Sequence, residues 1–118
     1  MDLETALKLS SSLGGGMGGL REVCGAVSGM FMAAGMLYGY SDPEDKTAKE
    51  QHYELLQALA AKFREENGSI ICRELLGLQC GADSPTPKDR RLCSEFVEHA
   101  AEILDEYIRN NPPKGGTV

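Results

Sequence analysis

The sequence predicts an all-α protein, a compact bundle of four to five helices around a central helix rich in glycine and methionine. Apolar residues recur at helical spacing, helix starts and stops are well marked, and no segment alternates apolar and polar residues as a strand would. A chain of 118 residues has the length of one domain. We therefore expect a single helical domain over residues 1–111 and a disordered tail over residues 112–118.

The first two predicted helices are separated by a run of glycines. A short helix at Leu3–Leu13 should stop at Gly14–Gly19, because consecutive glycines hold a helix poorly. The central helix, Leu20–Tyr38, carries few charges and is expected to be buried on most sides. Gly25 and Gly29 are four residues apart, so they form a smooth strip where another backbone can approach closely.

Three further helices follow, each with a recognisable start or stop signal. The predicted segments are a long helix begun by Asp42-Pro43 and ended at Asn67 by Gly68, a short helix at Ile70–Leu76, a loop at Leu78–Pro85, and a last helix capped by Thr86 and ended by Asn110-Asn111-Pro112-Pro113. The last helix should bury a stripe that includes Cys93, Phe96 and Val97.

Charge and composition exclude several classes of partner. The net charge of −6 argues against nucleic acid and against a polybasic grip on a membrane surface. The uncharged stretch from Val23 to Tyr40 contains four glycines, and acidic residues follow it, which favours a buried helix over a membrane span. The acidic start of the chain is unlike a secretory signal, so we expect a cytoplasmic protein with reduced thiols.

Four cysteines are the candidates for chemistry: Cys24, Cys72, Cys80 and Cys93. No C-x-x-C pair is present, which disfavours zinc knuckles and thioredoxin-like sites. Each cysteine could simply be a small buried hydrophobe. Cys24 departs from that pattern because it lies near the start of the central helix, one turn after Arg21, where positive charge favours a thiolate. Cys80 is expected to be exposed in its loop.

Other candidate motifs are weaker. The glycine run fits the letters G-x-G-x-x-G, but a helix precedes it where a dinucleotide site needs a strand, so a tight turn between helices is favoured. His52 and His99 lie among charges on helices and are expected at the surface. Cys24, Cys72 and Cys93 each lie on a packed segment, so we expect them to converge, with one pair close enough to bridge and Cys24 as the nucleophile.

The sequence resembles a known family. The segment Gly14-Gly15-Gly16-Met17 followed by Cys24-Gly25-Ala26-Val27-Ser28-Gly29 is similar to the signature of the C-GCAxxG-C-C family of redox-active proteins. The resemblance continues through Ser41–Asp45, Ser69–Gly77 and Cys93, and so covers nearly the whole chain. It implies that Cys24, Cys72 and Cys93 are family cysteines. The remaining family cysteine belongs to an N-terminal helix that normally precedes this part of the family sequence, so the resemblance implies either a chain that starts late or a missing helix. Cys80 is not assigned to the place of that cysteine.

Two functions follow from these observations. The resemblance implies a redox protein, either a thiol–disulfide carrier or an iron–sulfur electron carrier, in which Cys24 reacts and Cys72 or Cys93 is its partner. An iron–sulfur cluster usually takes four thiolates, whereas a redox pair needs two. The alternative is a non-catalytic helical binding or structural module whose cysteines only pack. We expect a homo-oligomer, a dimer or larger, that works with a redox partner protein; no enzymatic reaction is assigned.

Overall fold

A computed structural model describes residues 1–77 and 86–113, and within these ranges the chain forms five α-helices joined by turns. The helices are α1 (Leu3–Ser10), α2 (Gly25–Tyr38), α3 (Lys46–Asn67), α4 (Cys72–Leu76) and α5 (Pro87–Asn110). No strand occurs in these residues, and their single β-bridge joins Val23 to Ile71. The predicted all-α fold is confirmed. The loop predicted at Leu78–Pro85, with Cys80, and the tail from residue 114 lie outside the described residues.

Helix α2 lies at the centre of the bundle, as predicted, and packs against α3 and α5. Its inward residues Val27 and Ala34 are completely buried, and so is Phe63 of α3. The rings of Phe63 and Phe96 meet edge to face with their centroids 6.1 Å apart, which joins α3 to α5. None of the helices within residues 1–77 and 86–113 is long and apolar enough to cross a membrane.

Three predicted helix starts are wrong. Helix α4 begins at Cys72 instead of Ile70, because Ile70 and Ile71 belong to the extended pairing with residues 22–24. Helix α2 begins at Gly25 instead of Leu20, because residues 20–24 instead lead into the bridge at Val23. Helix α3 begins at Lys46, since the Asp45 carboxylate accepts the N–H of Ala48 at 3.0 Å and so caps the helix. Asp42 and Pro43 precede it in a turn.

The start of α5 follows the prediction closely. Thr86 accepts the N–H of Asp89 at 3.1 Å, and the Asp89 carboxylate accepts the N–H of Thr86 at 2.9 Å. This reciprocal capping box satisfies two amides that the first turn would leave unpaired. The predicted buried stripe is correct for Phe96 but wrong for Cys93 and Val97, which are exposed, the latter by 57%. Both residues line an open cavity between α5 and α2.

His52, expected at the surface, is buried in the inner face of α3. Its ring meets Tyr40 edge to face, with the centroids 6.1 Å apart. The aromatic residues that follow α2 therefore cover the first turns of α3, and the charged neighbours of His52 in the sequence did not reveal this contact. His99 is half-buried, and its Nδ1 lies 2.8 Å from Oδ1 of Asn67.

Candidate redox site

The glycine loop, Gly14–Gly19, folds the chain back on itself beneath the start of α2. Gly15 and Gly16 have φ angles of +63° and +68°, values that residues with a side chain rarely adopt. Their carbonyls accept the N–H groups of Arg21 at 2.9 Å and Glu22 at 2.8 Å. The loop thus forms the tight turn that the sequence favours. The extended segment that follows it, residues 22–24, lies beside the start of α4.

That extended segment pairs with the residues that begin α4. The N–H of Cys24 donates to the carbonyl of Ile70 at 2.7 Å, and the N–H of Cys72 donates to the carbonyl of Glu22 at 2.6 Å. These two bonds flank the antiparallel bridge between Val23 and Ile71. Side chains alternate along extended chain, so Cys24 and Cys72 both lie on the face opposite the bridged pair. They are diagonal neighbours, a relation that typically separates Cα atoms by roughly 7–8 Å.

Gly16 lies directly against this pairing. A Cβ atom at Gly16 would lie 2.7 Å from the Cβ of Cys72, from the Cα of Arg21 and from the backbone nitrogen of Glu22. Two of these three atoms belong to backbone and cannot rotate away. The close approach of Cys72 to the glycine loop is therefore possible only because position 16 has no side chain.

Cys24, Cys72 and Cys93 line one cavity of about 610 Å³ between α2 and α5, with the glycine loop at one end. The three are free thiols. Cys24 and Cys72 are buried, with 8% and 6% of their surfaces exposed, whereas Cys93 is exposed. The structure thus brings the three predicted cysteines to one place, although they belong to three separate segments of the chain.

Arg21 contributes positive charge at a different thiol from the one expected. Its guanidinium is buried, with 7% of the residue exposed, and Nη1 donates to the sulfur of Cys72 at 4.0 Å. Arg73 contacts this segment twice. Its backbone N–H donates to the Arg21 carbonyl at 3.2 Å, and its guanidinium forms an ion pair with Glu22 at 3.1 Å. The sequence analysis placed the charge of Arg21 beside Cys24. In the structure Arg21 has a left-handed backbone, with φ of +61°, and its side chain contacts Cys72.

Burial raises the pKa values of the thiols of Cys24 and Cys93. It raises the pKa of Cys24 above its ordinary value, and the backbone N–H groups of Ala26 and Val27 oppose this effect only in part. Burial also raises the pKa of Cys93, and the neighbouring thiols of Cys24 and Cys72 add to the rise. The expected thiolate at Cys24 is therefore not supported, because loss of hydration outweighs the amides at the start of α2.

The three cysteines of the described residues are one fewer than the four thiolates that an iron–sulfur cluster usually takes. Within residues 1–77 and 86–113, no group of three or more His, Cys, Asp or Glu side chains is arranged to hold a metal ion. Cys24, Cys72 and Cys93 share a cavity, but they do not converge on one coordination point.

Sequence reasoning missed two residues of the site. Gly16 was grouped with its neighbours in a turn, although among the glycines of the loop it is the one at which a Cβ would meet Cys72. Arg90 was not singled out, yet it lines the cavity from the first turns of α5. The spacing of Arg90, Cys93 and Val97, three and then four residues apart, places them on one helical face and could have identified Arg90.

Replacing Gly16 by Ala should destabilise the protein more than replacing Gly19 by Ala. Both glycines have left-handed φ angles, which cost a residue with a side chain about 1–2 kcal/mol. Nothing lies within 4 Å of a Cβ at Gly19, so that variant reports the backbone strain alone. The clash with Cys72 should add about 1–3 kcal/mol to the loss for Gly16→Ala, measured by urea unfolding. Equal losses in the two variants would show that the close packing is unimportant.

The stability of the reduced protein should fall at alkaline pH, in part through Cys24. Because the folded pKa of Cys24 is raised above the ordinary value of 9.0, its contribution is present below that value and lost as pH rises through the folded pKa. The Cys24→Ala variant should therefore lose less unfolding free energy than the wild type between about pH 8 and 10. Val27→Ala, which removes a buried neighbour without a titrating group, should keep the wild-type slope. Parallel profiles for Cys24→Ala and the wild type would contradict the raised pKa.

Comparison with known proteins identifies a family for this chain. The family model described as "Putative redox-active protein (C_GCAxxG_C_C)" matches residues 1–107, which is nearly the whole chain. No curated protein and no solved structure matches. The match includes the glycine loop, the Cys24 segment and the two later cysteines of the cavity. The chain therefore belongs to the C_GCAxxG_C_C family of redox-active proteins.

Proposed function

We propose that the protein is a thiol–disulfide electron carrier in which Cys24 and Cys72 alternate between two thiols and one disulfide. The observation that carries this proposal is their placement on one face of the same antiparallel bridge. A disulfide needs Cα atoms roughly 4.4–6.8 Å apart, so diagonal neighbours require only a small approach. Membership of a redox-active family supports the same chemistry.

In the proposed reaction, Cys72 attacks and Cys24 resolves. The sulfur of Cys72 lies beside the Arg21 guanidinium, whose charge stabilises the negative charge that the sulfur carries when it attacks a disulfide. The attack breaks the disulfide of the oxidant, releases one thiol and leaves a mixed disulfide on Cys72. Cys24 then displaces the second thiol. The two cysteines lose two electrons and two protons, and the oxidant gains both.

Cys93 extends the site to the surface. It is the exposed thiol of the cavity, whereas Cys24 and Cys72 are buried. We propose that a disulfide formed inside can be exchanged at Cys93 with a redox partner protein. A cytoplasmic location would suit this cycle, because thiols there are returned to the reduced state.

The alternative, a helical module whose cysteines only pack, has one observation in its favour. Burial raises the pKa of Cys24, which belongs to the hydrophobic core together with Val27 and Phe63. A packed thiol of this kind is a poor nucleophile. The two functions differ in whether the thiols of Cys24 and Cys72 disappear reversibly upon mild oxidation.

Oxidation by a small disulfide should join Cys24 to Cys72. The experiment uses a Cys80→Ser background so that three thiols remain, and it counts free thiols before oxidation, after oxidation and after reduction. We expect the count to fall by two and to recover, with a Cys24–Cys72 peptide found by mass spectrometry. Cys93→Ser should retain this disulfide, whereas Cys24→Ser and Cys72→Ser should lose it. The proposal would be overturned if every disulfide that forms included Cys93, or if all three thiols remained unchanged.

We also propose that the chain self-associates through α1. This helix buries none of its residues, and Leu3 and Leu7, one turn apart on the same face, are 74% and 60% exposed. A helix of eight residues is marginal unless another surface covers its apolar face. A second copy of the chain can supply that surface through the exposed Met32 and Met36 of α2.

Light scattering should give a mass of at least twice the 12.7 kDa chain. A double variant, Leu3→Gln with Leu7→Gln, removes the apolar face of α1 and should give the monomer mass. Lys8→Gln changes an exposed residue of the same helix and should leave the mass unaltered. A monomeric wild type, or an oligomer that survives the double variant, would contradict association through α1.

A further inference from the structure

The cavity that holds the thiols carries positive charge in an acidic protein. Among the described residues that line it, the charged side chains are Arg21 and Arg90, and no Asp or Glu joins them. The chain as a whole has a net charge of −6. The remaining wall is mostly apolar or glycine, including Leu13, Met30 and Leu104. Local charge of the opposite sign to the whole molecule attracts anions to one place on an otherwise repelling surface.

We propose that this cavity binds a small anionic disulfide, and that such a molecule is the oxidant of the cysteine pair. The inference rests on the proposed thiol–disulfide function and adds the class of substrate. A volume of about 610 Å³ lies in the range typical of small-molecule sites, and it is too small for a folded partner. Carboxylates on the disulfide would pair with the guanidinium groups, which offer planar arrays of N–H donors.

The two arginines lie at different depths. Arg21 is buried beside Cys72, the proposed attacking thiol. Arg90 is exposed and lies on the same face of α5 as Cys93, so an anion entering from the exposed edge meets it first. Asp89 is the nearby acid; it is buried and does not line the cavity, and its carboxylate accepts the N–H of Thr86 in the capping box. Its charge also interacts with Arg21, which helps to lower the pKa of Asp89, so Asp89 offsets part of the charge of Arg21 and leaves Arg90 as the cation at the exposed edge. Arg90 can therefore select the charge of the entering molecule without belonging to the reacting pair.

The proposed reaction consists of two successive thiol–disulfide exchanges. One sulfur of the anionic disulfide bonds to Cys72, and the other leaves as an anionic thiol. Cys24 then bonds to Cys72 and displaces the second anionic thiol. The substrate gains two electrons and two protons and becomes two thiols, and the protein gains one disulfide.

The test compares two disulfides of different charge on the reduced Cys80→Ser, Cys93→Ser protein, in which only Cys24 and Cys72 can react. Dithiobisnitrobenzoate carries two carboxylates, and dithiodipyridine is neutral; both release a coloured product. We measure the rate constant for each reagent and divide each by its value for the urea-unfolded protein. The anionic reagent should show the larger normalised rate at low salt, and this advantage should shrink as salt screens the charges.

Arg90→Gln and Arg91→Gln form a matched pair, because both are exposed arginines of α5 and only Arg90 lines the cavity. Arg90→Gln should slow the anionic reagent about fivefold relative to the neutral one, the size expected for one nearby charge near a protein surface. Arg91→Gln should leave the ratio within about twofold of the wild type. Equal effects of the two variants, or a wild-type ratio that does not favour the anion, would overturn the proposal.

Failure of the redox pair gives a different result. If Cys24 does not resolve the mixed disulfide, mass spectrometry finds an aromatic adduct retained on the protein with either reagent. The charge preference can still be measured from the rate at which the adducts form. A retained adduct with an Arg90-dependent preference would thus support the anion-selecting cavity while rejecting the cysteine pair.

Discussion

Two backbone hydrogen bonds, from Cys24 to Ile70 and from Cys72 to Glu22, determine the arrangement of the site. They join the segment before α2 to the start of α4, which is 48 residues later in the chain. Without them, Cys24 would only precede α2 and Cys72 would only begin α4, with no fixed relation between the two residues. The absence of a side chain at Gly16 lets the glycine loop lie beneath this pairing, so the backbone at one position helps to determine where Cys72 lies relative to Cys24.

The site balances burial against reactivity. Loss of hydration favours the neutral thiol at Cys24, and the amide donors at the start of α2 do not compensate for it. The positive charge instead lies at Cys72, through the buried guanidinium of Arg21. This difference suits the proposed roles, in which Cys72 attacks the oxidant and Cys24 resolves the mixed disulfide. The second sulfur need only react after a mixed disulfide has brought a leaving group to it, and a high local concentration then offsets its poor nucleophilicity.

Local chemistry made much of the fold predictable. Thr86 and Asp89 form a reciprocal cap that depends on residues three apart, and Gly68 ends α3 in a left-handed conformation for reasons contained in that residue alone. The start of α2 was not predictable in this way. The bridge at Val23 depends on Ile71, and Arg21 adopts φ of +61° in a turn that no apolar period describes. The convergence of three cysteines could be inferred from their packed segments, but the direction of the Arg21 side chain could not.

The exposed face of α5 shows why periodicity alone misjudges a site. Cys93 and Val97 fit the helical spacing of a buried stripe, yet they border an open cavity in which α2 presents mostly small residues, with Met30 as the one large side chain. Nothing lies within 4 Å of a Cβ at Gly29, so α2 does not fill the space that α5 faces there. An apolar stripe opposite small residues leaves a void, whereas the same stripe opposite Leu or Phe would form a core. The void carries Arg90 on the same helical face, and apolar walls make that charge act more strongly on whatever enters. The cavity therefore results from the small residues that most of this face of α2 presents, and its proposed selectivity follows from a charge that the apolar pattern of α5 does not include.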